Sequence, residues 1–193
     1  MADLPRANDL HAREPVLFVV HPGSACGSAD ANLGAEDAAV CRGALASDIA
    51  AWRGSVVVID SVLSSELRRP RYANLCRAIE TALSRAKIAG FVSTRVTGDD
   101  AMGAGGNQSQ AAAKVVRRHS ILPGTHRIEL TGCWHHPNGL YGCVNDVRQT
   151  LAGSGFHTAV RDSAINEPKS DNLPPDQLAR SDALQQQQAC NAG

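Results

Sequence analysis

The segment GCWHHPNGLYGCVNDV, residues 132–147, contains several side chains that could do chemistry. It holds Cys133, Cys143 and the adjacent pair His135 and His136. Cysteine thiolates are nucleophiles and metal ligands, and imidazole transfers protons near neutral pH. The segment therefore has three interpretations: a catalytic loop, a metal site, or an ordinary turn from a strand to a helix.

Within this segment, Cys143 has the position expected of a nucleophile. It follows Gly142 and begins a predicted helix over 143–155. The positive end of the helix dipole and the unpaired amides of the first turn both favour the thiolate. The amides of Gly142 and Cys143 could also hold the oxyanion that forms when a carbonyl is attacked. The alternative is that Cys143 is a small buried apolar side chain, as free cysteines commonly are.

The histidine pair could instead belong to a zinc site with Cys133 and Cys143. The spacing lacks the paired ligands that are typical of structural zinc, so we expect no metal and no other cofactor. Trp134, His135 and His136 are expected to line or cover a pocket and to offer an aromatic face to a planar substrate. Packing of this loop against a second subunit is the alternative.

Short apolar strands that alternate with helices must position these residues. The predicted strands are 16–20, 55–61, 91–96, 126–132 and 156–164. The predicted helices are 35–54, 72–87 (which Gly90 terminates), 111–119 and 143–155. Glycine-rich loops are predicted at 21–34 and 98–110. Alternation of this kind predicts βαβ units and a parallel sheet with right-handed crossovers.

In an open parallel sheet, ligands bind beyond the carboxyl ends of the strands. His21 follows the first predicted strand, Asp60 lies at the end of the second and Arg95 at the end of the third. We therefore expect these three side chains to converge with the segment 132–147 at one edge of the sheet. Asp60 is a candidate for binding the substrate.

His21 and Arg95 each have two interpretations. His21 could act as the general base of a cysteine–histidine pair, or its ring could bond a nearby carbonyl at the strand end. Arg95 stays protonated, so it could hold a carboxylate or phosphate but could not act as a base. Its alternative is an ion pair with Asp99 or Asp100.

The run ELTGCW…GCVNDVRQTLAGSGFHTAVRDSA resembles the signature of the isochorismatase-like cysteine hydrolases. The resemblance covers roughly residues 14–165, and its specific part is 129–164. It implies a three-layer α/β/α fold with a mainly parallel sheet of five or six strands, a homo-oligomer, and hydrolysis of small amides by a cysteine, an aspartate and a lysine. Cys143 matches the nucleophile, whereas His21 stands at the aspartate position and Arg95 is the basic residue nearest to the lysine position. The turn before Cys143 is also about five residues longer than usual in the family.

Composition bounds the function further. The 193-residue chain has equal numbers of acidic and basic side chains, so we expect no nucleic-acid or membrane partner. The arginines Arg68, Arg69 and Arg71 are expected to be solvated. The start of the chain has no apolar leader, which favours a cytoplasmic protein with free thiols. The loop 21–34 lacks both phosphate-binding glycine signatures.

These observations predict a domain over 14–165, an N-terminal extension over 1–13 and a polar tail over 166–193. The leading hypothesis is a divergent cysteine hydrolase of a small amide or related carbonyl compound. Cys143 would attack, His21 would transfer protons and Arg95 would orient an anionic group. The alternative is a relative of the same fold that binds a small ligand or a protein partner without turnover.

Overall fold

A computed structural model describes residues 13–60, 67–93, 106–136 and 142–166. The strands are β1 (Glu14–Val20), β2 (Ser55–Asp60), β3 (Ala89–Ser93), β4 (His126–His135), β5 (His157–Val160) and β6 (Ile165–Asn166). The helices are α1 (Gly27–Leu33), α2 (Ala35–Ala51), α3 (Ala73–Arg85), α4 (Gly106–Arg118) and α5 (Cys143–Gly153). Short 3-10 turns at Pro22–Ala25 and Pro70–Tyr72 precede α1 and α3.

The strands form a parallel sheet in the order β3-β2-β1-β4-β5, and β6 pairs with the last residues of β4. The first three strands extend the sheet from β1 through β2 to β3. The chain then returns to the other side of β1, where β4 and β5 form the second half of the sheet. The order therefore reverses between β1 and β4, which is where an open α/β sheet forms a crevice for ligands. The predicted α/β class with a parallel sheet is confirmed.

The core lies on both faces of this sheet. Leu17 and Val19 of β1 pack with residues of α2 and α3 on one face. Val16, Phe18 and Val20 pack with residues of α4 and α5 on the other. All five side chains have no exposed surface. Alternate side chains of β1 therefore enter two different cores, which is why the run VLFVV is apolar at every position.

The segment after β1 is more helical than predicted. Residues 21–34 were expected to form a loop, but they contain the 3-10 turn Pro22–Ala25 and helix α1. Pro22 fixes a helical φ at a position where its missing N–H is not needed. Gly34, with φ of +83°, separates α1 from α2. The prediction of a loop was wrong because it gave the glycines more weight than the alanines between them.

Strand β4 is longer than predicted. It was expected to end at Gly132, but it continues to His135 because β6 pairs with the extension at Cys133 and His135. Trp134 and His135 therefore lie on a strand, and the peptide bond between Cys133 and Trp134 is cis. The predicted strand over 156–164 is shorter in the structure, where β5 covers His157–Val160, and β6 begins beyond its predicted end, at Ile165.

Two further differences from the predictions involve glycines. Gly90 was expected to terminate a helix, but it lies inside β3, where a Cβ atom would come within 3.3 Å of Val57 Cγ2. Helix α4 begins at Gly106, whereas its start was predicted at residue 111. Gly90 lies in a strand because it pairs with Val57 of β2, and no local pattern reports this pairing.

The predicted extension 1–13 and tail 166–193 lie outside the described residues except for Arg13 and Asn166. Within the described ranges, no helix has the length and apolar content that crossing a membrane would require.

Candidate functional site

Three strand ends meet at what we call the carboxyl edge: the ends of β1, β2 and β4 together with the start of α5. Val20 of β1 pairs with Ile59 of β2 and with Gly132 of β4. The residues that come next are His21 directly after β1, Asp60 at the end of β2 and Cys133 in β4. Because the register aligns the three strands, these residues lie side by side, as the sequence predicted for His21 and Asp60.

Gly132 permits the closest contact at this edge. A Cβ atom at this position would lie 1.9 Å from the Val20 carbonyl oxygen, and φ at Gly132 is +118°. Both the space and the backbone conformation therefore require glycine. This contact explains the glycine of the ELTGCW motif as a condition for bringing β1 and β4 together.

Asp60 is fully buried and supports the loop that follows β1. Its Oδ2 accepts a hydrogen bond of 2.9 Å from the Gly23 amide in the 3-10 turn. A buried carboxylate is costly unless it is hydrogen-bonded, and the bond from Gly23 offsets part of that cost. The bond shapes the turn that begins directly after His21.

His21 lies at the centre of the edge and is 7% exposed. Its amide donates to the Ile59 carbonyl at 2.6 Å, and its φ of +47° is in the left-handed region. Burial lowers the pKa of its imidazole to about 4, so the ring is neutral at pH 7. A neutral ring can accept a proton, but its imidazolium form is strongly disfavoured in this environment.

Cys143 is partly buried and is the first residue of α5. The preceding Gly142 has φ of +97°, and a Cβ atom there would lie 2.5 Å from the Trp134 carbonyl oxygen. The start of α5 is therefore packed directly on the end of β4. The Asp146 amide donates to the Gly142 carbonyl at 2.9 Å, so Cys143, Val144 and Asn145 form the first turn of the helix.

Cys133 has a different environment although it belongs to the same segment. It is fully buried, and burial raises the pKa of its thiol well above the ordinary value. The neighbouring thiols of Cys143 and Cys26 and the Asp60 carboxylate raise this pKa further. Cys133 is therefore held as a thiol, while Cys143 is the one of the pair at a helix start.

Asn145, which the sequence analysis did not select, joins β4 to α5. Its side chain has no exposed surface. Its Oδ1 lies 3.1 Å from His135 Nδ1, and its Nδ2 donates to the His136 carbonyl oxygen at 3.1 Å. A polar residue directly after Cys-Val at a helix start was the available signal, because a buried asparagine must find partners.

The remaining candidates are divided between the core and the edge. Trp134 is partly buried and packs against the core that α2 and α3 form. His136 is also partly exposed, and its carbonyl accepts the bond from Asn145.

Among the described residues, no group of three or more histidine, cysteine or acidic side chains has the arrangement of a metal site. Arg95, Asp99 and Asp100 lie outside the described residues.

A second unpredicted contact joins α4 to the first turn of α5. Gln108 is 7% exposed and donates to Asp146 Oδ2 at 2.9 Å. Burial raises the pKa of Asp146, and the bond from Gln108 partly opposes this shift. Residues of the predicted glycine-rich loop 98–110 therefore help to hold the helix that carries Cys143.

The arrangement at the edge combines the Cys143 thiol at a helix start, the backbone amides of the first turn of α5 and the imidazoles of His21 and His135. Such groups can attack a carbonyl carbon, hold the resulting oxyanion and move protons. No protein-family model matches this sequence, and neither the curated proteins nor the solved structures gave a significant match.

Proposed function

We propose that this protein is a cysteine hydrolase of the isochorismatase-like type that acts on a small amide or a related carbonyl compound. The observation that carries the proposal is the position of Cys143, which begins α5 and lies against the end of β4 at the carboxyl edge. Only this position among the described thiols combines partial exposure with a helix start at the reversal point of the sheet. The motif around Cys143 and the parallel α/β fold both agree with it.

The reaction follows from these groups. The thiolate of Cys143 attacks the carbonyl carbon, a C–S bond forms, and the carbonyl electron pair moves to oxygen. The amides at the start of α5 stabilise this oxyanion. Its collapse expels the amine, which takes up a proton, and leaves a thioester on Cys143. Water then attacks the thioester, which releases a carboxylic acid and restores the thiol. The net reaction consumes one water for each amide bond cleaved.

The proposal can be tested without knowing the substrate, by using p-nitrophenyl acetate as a carbonyl probe and iodoacetamide as a thiol probe. We expect Cys143 to be acetylated with release of p-nitrophenolate and to be alkylated with an apparent pKa below the ~8.5 of an ordinary thiol. Peptide-level mass spectrometry reports each cysteine separately. Cys143→Ser should remove the nitrophenolate burst.

Cys76→Ser is the matched control, because Cys76 lies inside α3 and its thiol donates to the Glu80 carboxylate at 3.6 Å. This variant should keep the burst. Alkylation of Cys143 at the same rate and pH midpoint as Cys76, with no acetyl adduct, would refute the hydrolase function.

A ligand-binding protein without turnover is the second candidate. It is favoured by the burial of His21 and Asp60, since two of the edge residues are held inside the fold. In that case a small carbonyl compound should bind equally well to the wild type and to Cys143→Ser, and neither protein should release product. Parallel calorimetric titration and product analysis of a panel of small amides distinguish the two functions.

A further inference from the structure

The hydrogen bonds of Asn145 fix the protonation of His135. The His136 carbonyl can only accept, so the atom of Asn145 that faces it must be the Nδ2 amide. Oδ1 therefore faces His135 and must accept, which makes Nδ1 of His135 the donor across 3.1 Å. In a neutral imidazole with a proton on Nδ1, Nε2 carries the lone pair. His135 thus presents Nε2 as a proton acceptor.

This imidazole lies beside the start of α5. The Cβ position of Gly142 is 2.5 Å from the carbonyl oxygen of Trp134 and 3.5 Å from the amide nitrogen of His136. His135 is the residue between these two contacts, and Cys143 directly follows Gly142. The backbone at Cys143 and the backbone at His135 are therefore packed together.

We propose that His135 is the proton carrier of the Cys143 site and that Asn145 is its positioning residue, giving a cysteine–histidine–asparagine arrangement. This inference rests on the proposed hydrolase function. It goes beyond that function because the hypothesis from sequence assigned the proton transfer to His21. A nucleophile, a base and a third group that orients the base are the parts that covalent catalysis requires.

The environments of the two histidines favour His135. Burial lowers the pKa of His135, the bond to Asn145 opposes this shift, and the electrostatic effects of Arg148 on α5 and of His136 lower it further. From β6, the paired residues Ile165 and Asn166 add no titratable group. Burial lowers the pKa of His21 to about 4. A base is most effective when its pKa lies near the working pH, so His21 is the weaker carrier.

The imidazole of His135 accounts for every proton transfer in the proposed reaction. Nε2 of His135 takes the thiol proton as sulfur attacks the carbonyl carbon, and it gives that proton to the departing amine. In the second half, Nε2 takes a proton from the attacking water as the C–O bond forms. It returns this proton to sulfur when the C–S bond breaks, so the enzyme ends in its initial state.

The test measures the pH dependence of Cys143 acetylation and deacetylation with p-nitrophenyl acetate. His135→Asn is the informative variant, because its amide can still donate to Asn145 while Nε2 is lost. We expect both rates at pH 7 to fall about 100-fold or more, the size typical of a lost general base. His21→Asn should have a smaller effect. His157→Asn, an exposed histidine at the amino end of β5, is the control and should match the wild type.

A positioning role for Asn145 predicts a shift that a merely structural role would not produce. Asn145→Asp places a carboxylate on the Nδ1 proton, which favours the imidazolium and raises the pKa of His135. The acidic limb of the pH–rate profile should move to higher pH by about one unit or more. Nitrogen-15 spectra of the histidine rings in the unmodified protein should show the Nδ1-protonated form for His135, whatever the stability of the variants.

The outcomes separate this inference from the function on which it rests. If Cys143→Ser abolishes acetylation while His135→Asn and Asn145→Asp leave the profile unchanged, the hydrolase stands and His135 is not its proton carrier. A larger effect of His21→Asn, or a ring spectrum with the proton on Nε2, would also overturn the assignment. If Cys143 is not acetylated in the wild type, the proposed function itself fails.

Discussion

Two polar regions contact β4, and they differ in how their polar groups are paired. At the carboxyl edge, the side chains of His135 and Asn145 are uncharged and are joined by one hydrogen bond, and Asn145 also donates to the His136 carbonyl. On the face of the sheet toward α2, the Arg161 guanidinium donates to both carboxylate oxygens of Asp48 and also to the Glu129 carboxylate. The edge leaves a nitrogen lone pair for a ligand. In the second region the carboxylates of Asp48 and Glu129 are balanced by Arg161 and by Arg127, which also pairs with Glu129.

We call the second region the Arg161 cluster: Asp48, Glu129, Thr131, Arg161 and Ser163. Ser163 donates to Asp48 and lies 2.8 Å from the fully buried Thr131 hydroxyl, and the Arg161 guanidinium lies 5.2 Å from the Trp52 ring. The cluster therefore ties α2 to β4 and to the turn after β5. Strong electrostatic pairing supports the fold in the Arg161 cluster, whereas the candidate site is built from uncharged polar groups joined by hydrogen bonds.

The largest effect should come from adding one methyl group to the carboxyl edge. Gly132→Ala places Cβ against the Val20 backbone at a positive φ, so strain and overpacking combine to a loss of about 3–5 kcal/mol in the free energy of unfolding. Gly43→Ala, in α2 with no atom within 4 Å of the new Cβ, should stabilise the protein by about 0.5–1 kcal/mol. Urea unfolding measures both, and equal effects would show that the close contact is not present.

An intermediate effect should appear in the pH dependence of stability. The pKa of His21 is about 4 in the folded protein and near 6.5 when unfolded, so the unfolded chain binds more protons between these values. Stability is fully retained above about pH 6.5 and is lost as the pH falls toward 4, by about 3 kcal/mol in total. His21→Asn, which tolerates the left-handed backbone, should remove this slope. A slope that is the same in the variant and the wild type would contradict the burial of the ring.

The smallest effect should come from the Arg161 cluster. Asp48→Asn keeps the shape and removes one charge, and we expect a loss of about 1–2 kcal/mol at pH 7, because Arg161 is 31% exposed and solvent screens the pair. Burial would raise the pKa of Asp48, but bonds from Arg161 and Ser163 outweigh it and lower the pKa. The wild type should therefore lose this contribution only as the pH falls below about 4. A double-mutant cycle with Arg161→Gln checks whether the loss belongs to the pair.

The alternation of strands and helices and the meeting of strand ends at one edge were predictable from sequence. Long runs such as VLFVV report a strand that is covered on both faces, whatever covers it. The extension of β4 to His135 was not predictable, because it depends on β6, which consists of Ile165 and Asn166 alone. The role of Gly90 was hidden for a similar reason, since its neighbours belong to β2 and to the end of α4.

At the site, the sequence indicated Cys143 because a helix start can be recognised locally. Asn145 and Gln108 were missed because their partners lie 9 and 38 residues away, and pairing at such distances leaves no periodic signal. The choice between His21 and His135 depends on burial and on the direction of one hydrogen bond. Residue type and spacing carry neither quantity.

The two tryptophans make the carboxyl edge optically accessible. Trp52 lies at the opposite edge of the sheet, where its indole donates to the Ser55 carbonyl at 3.0 Å beneath Arg161, while Trp134 immediately precedes His135. Replacing Trp52 with phenylalanine would leave one indole in the chain, adjacent to the candidate site. Its emission would then respond to a probe that reaches the candidate site, without any attached dye.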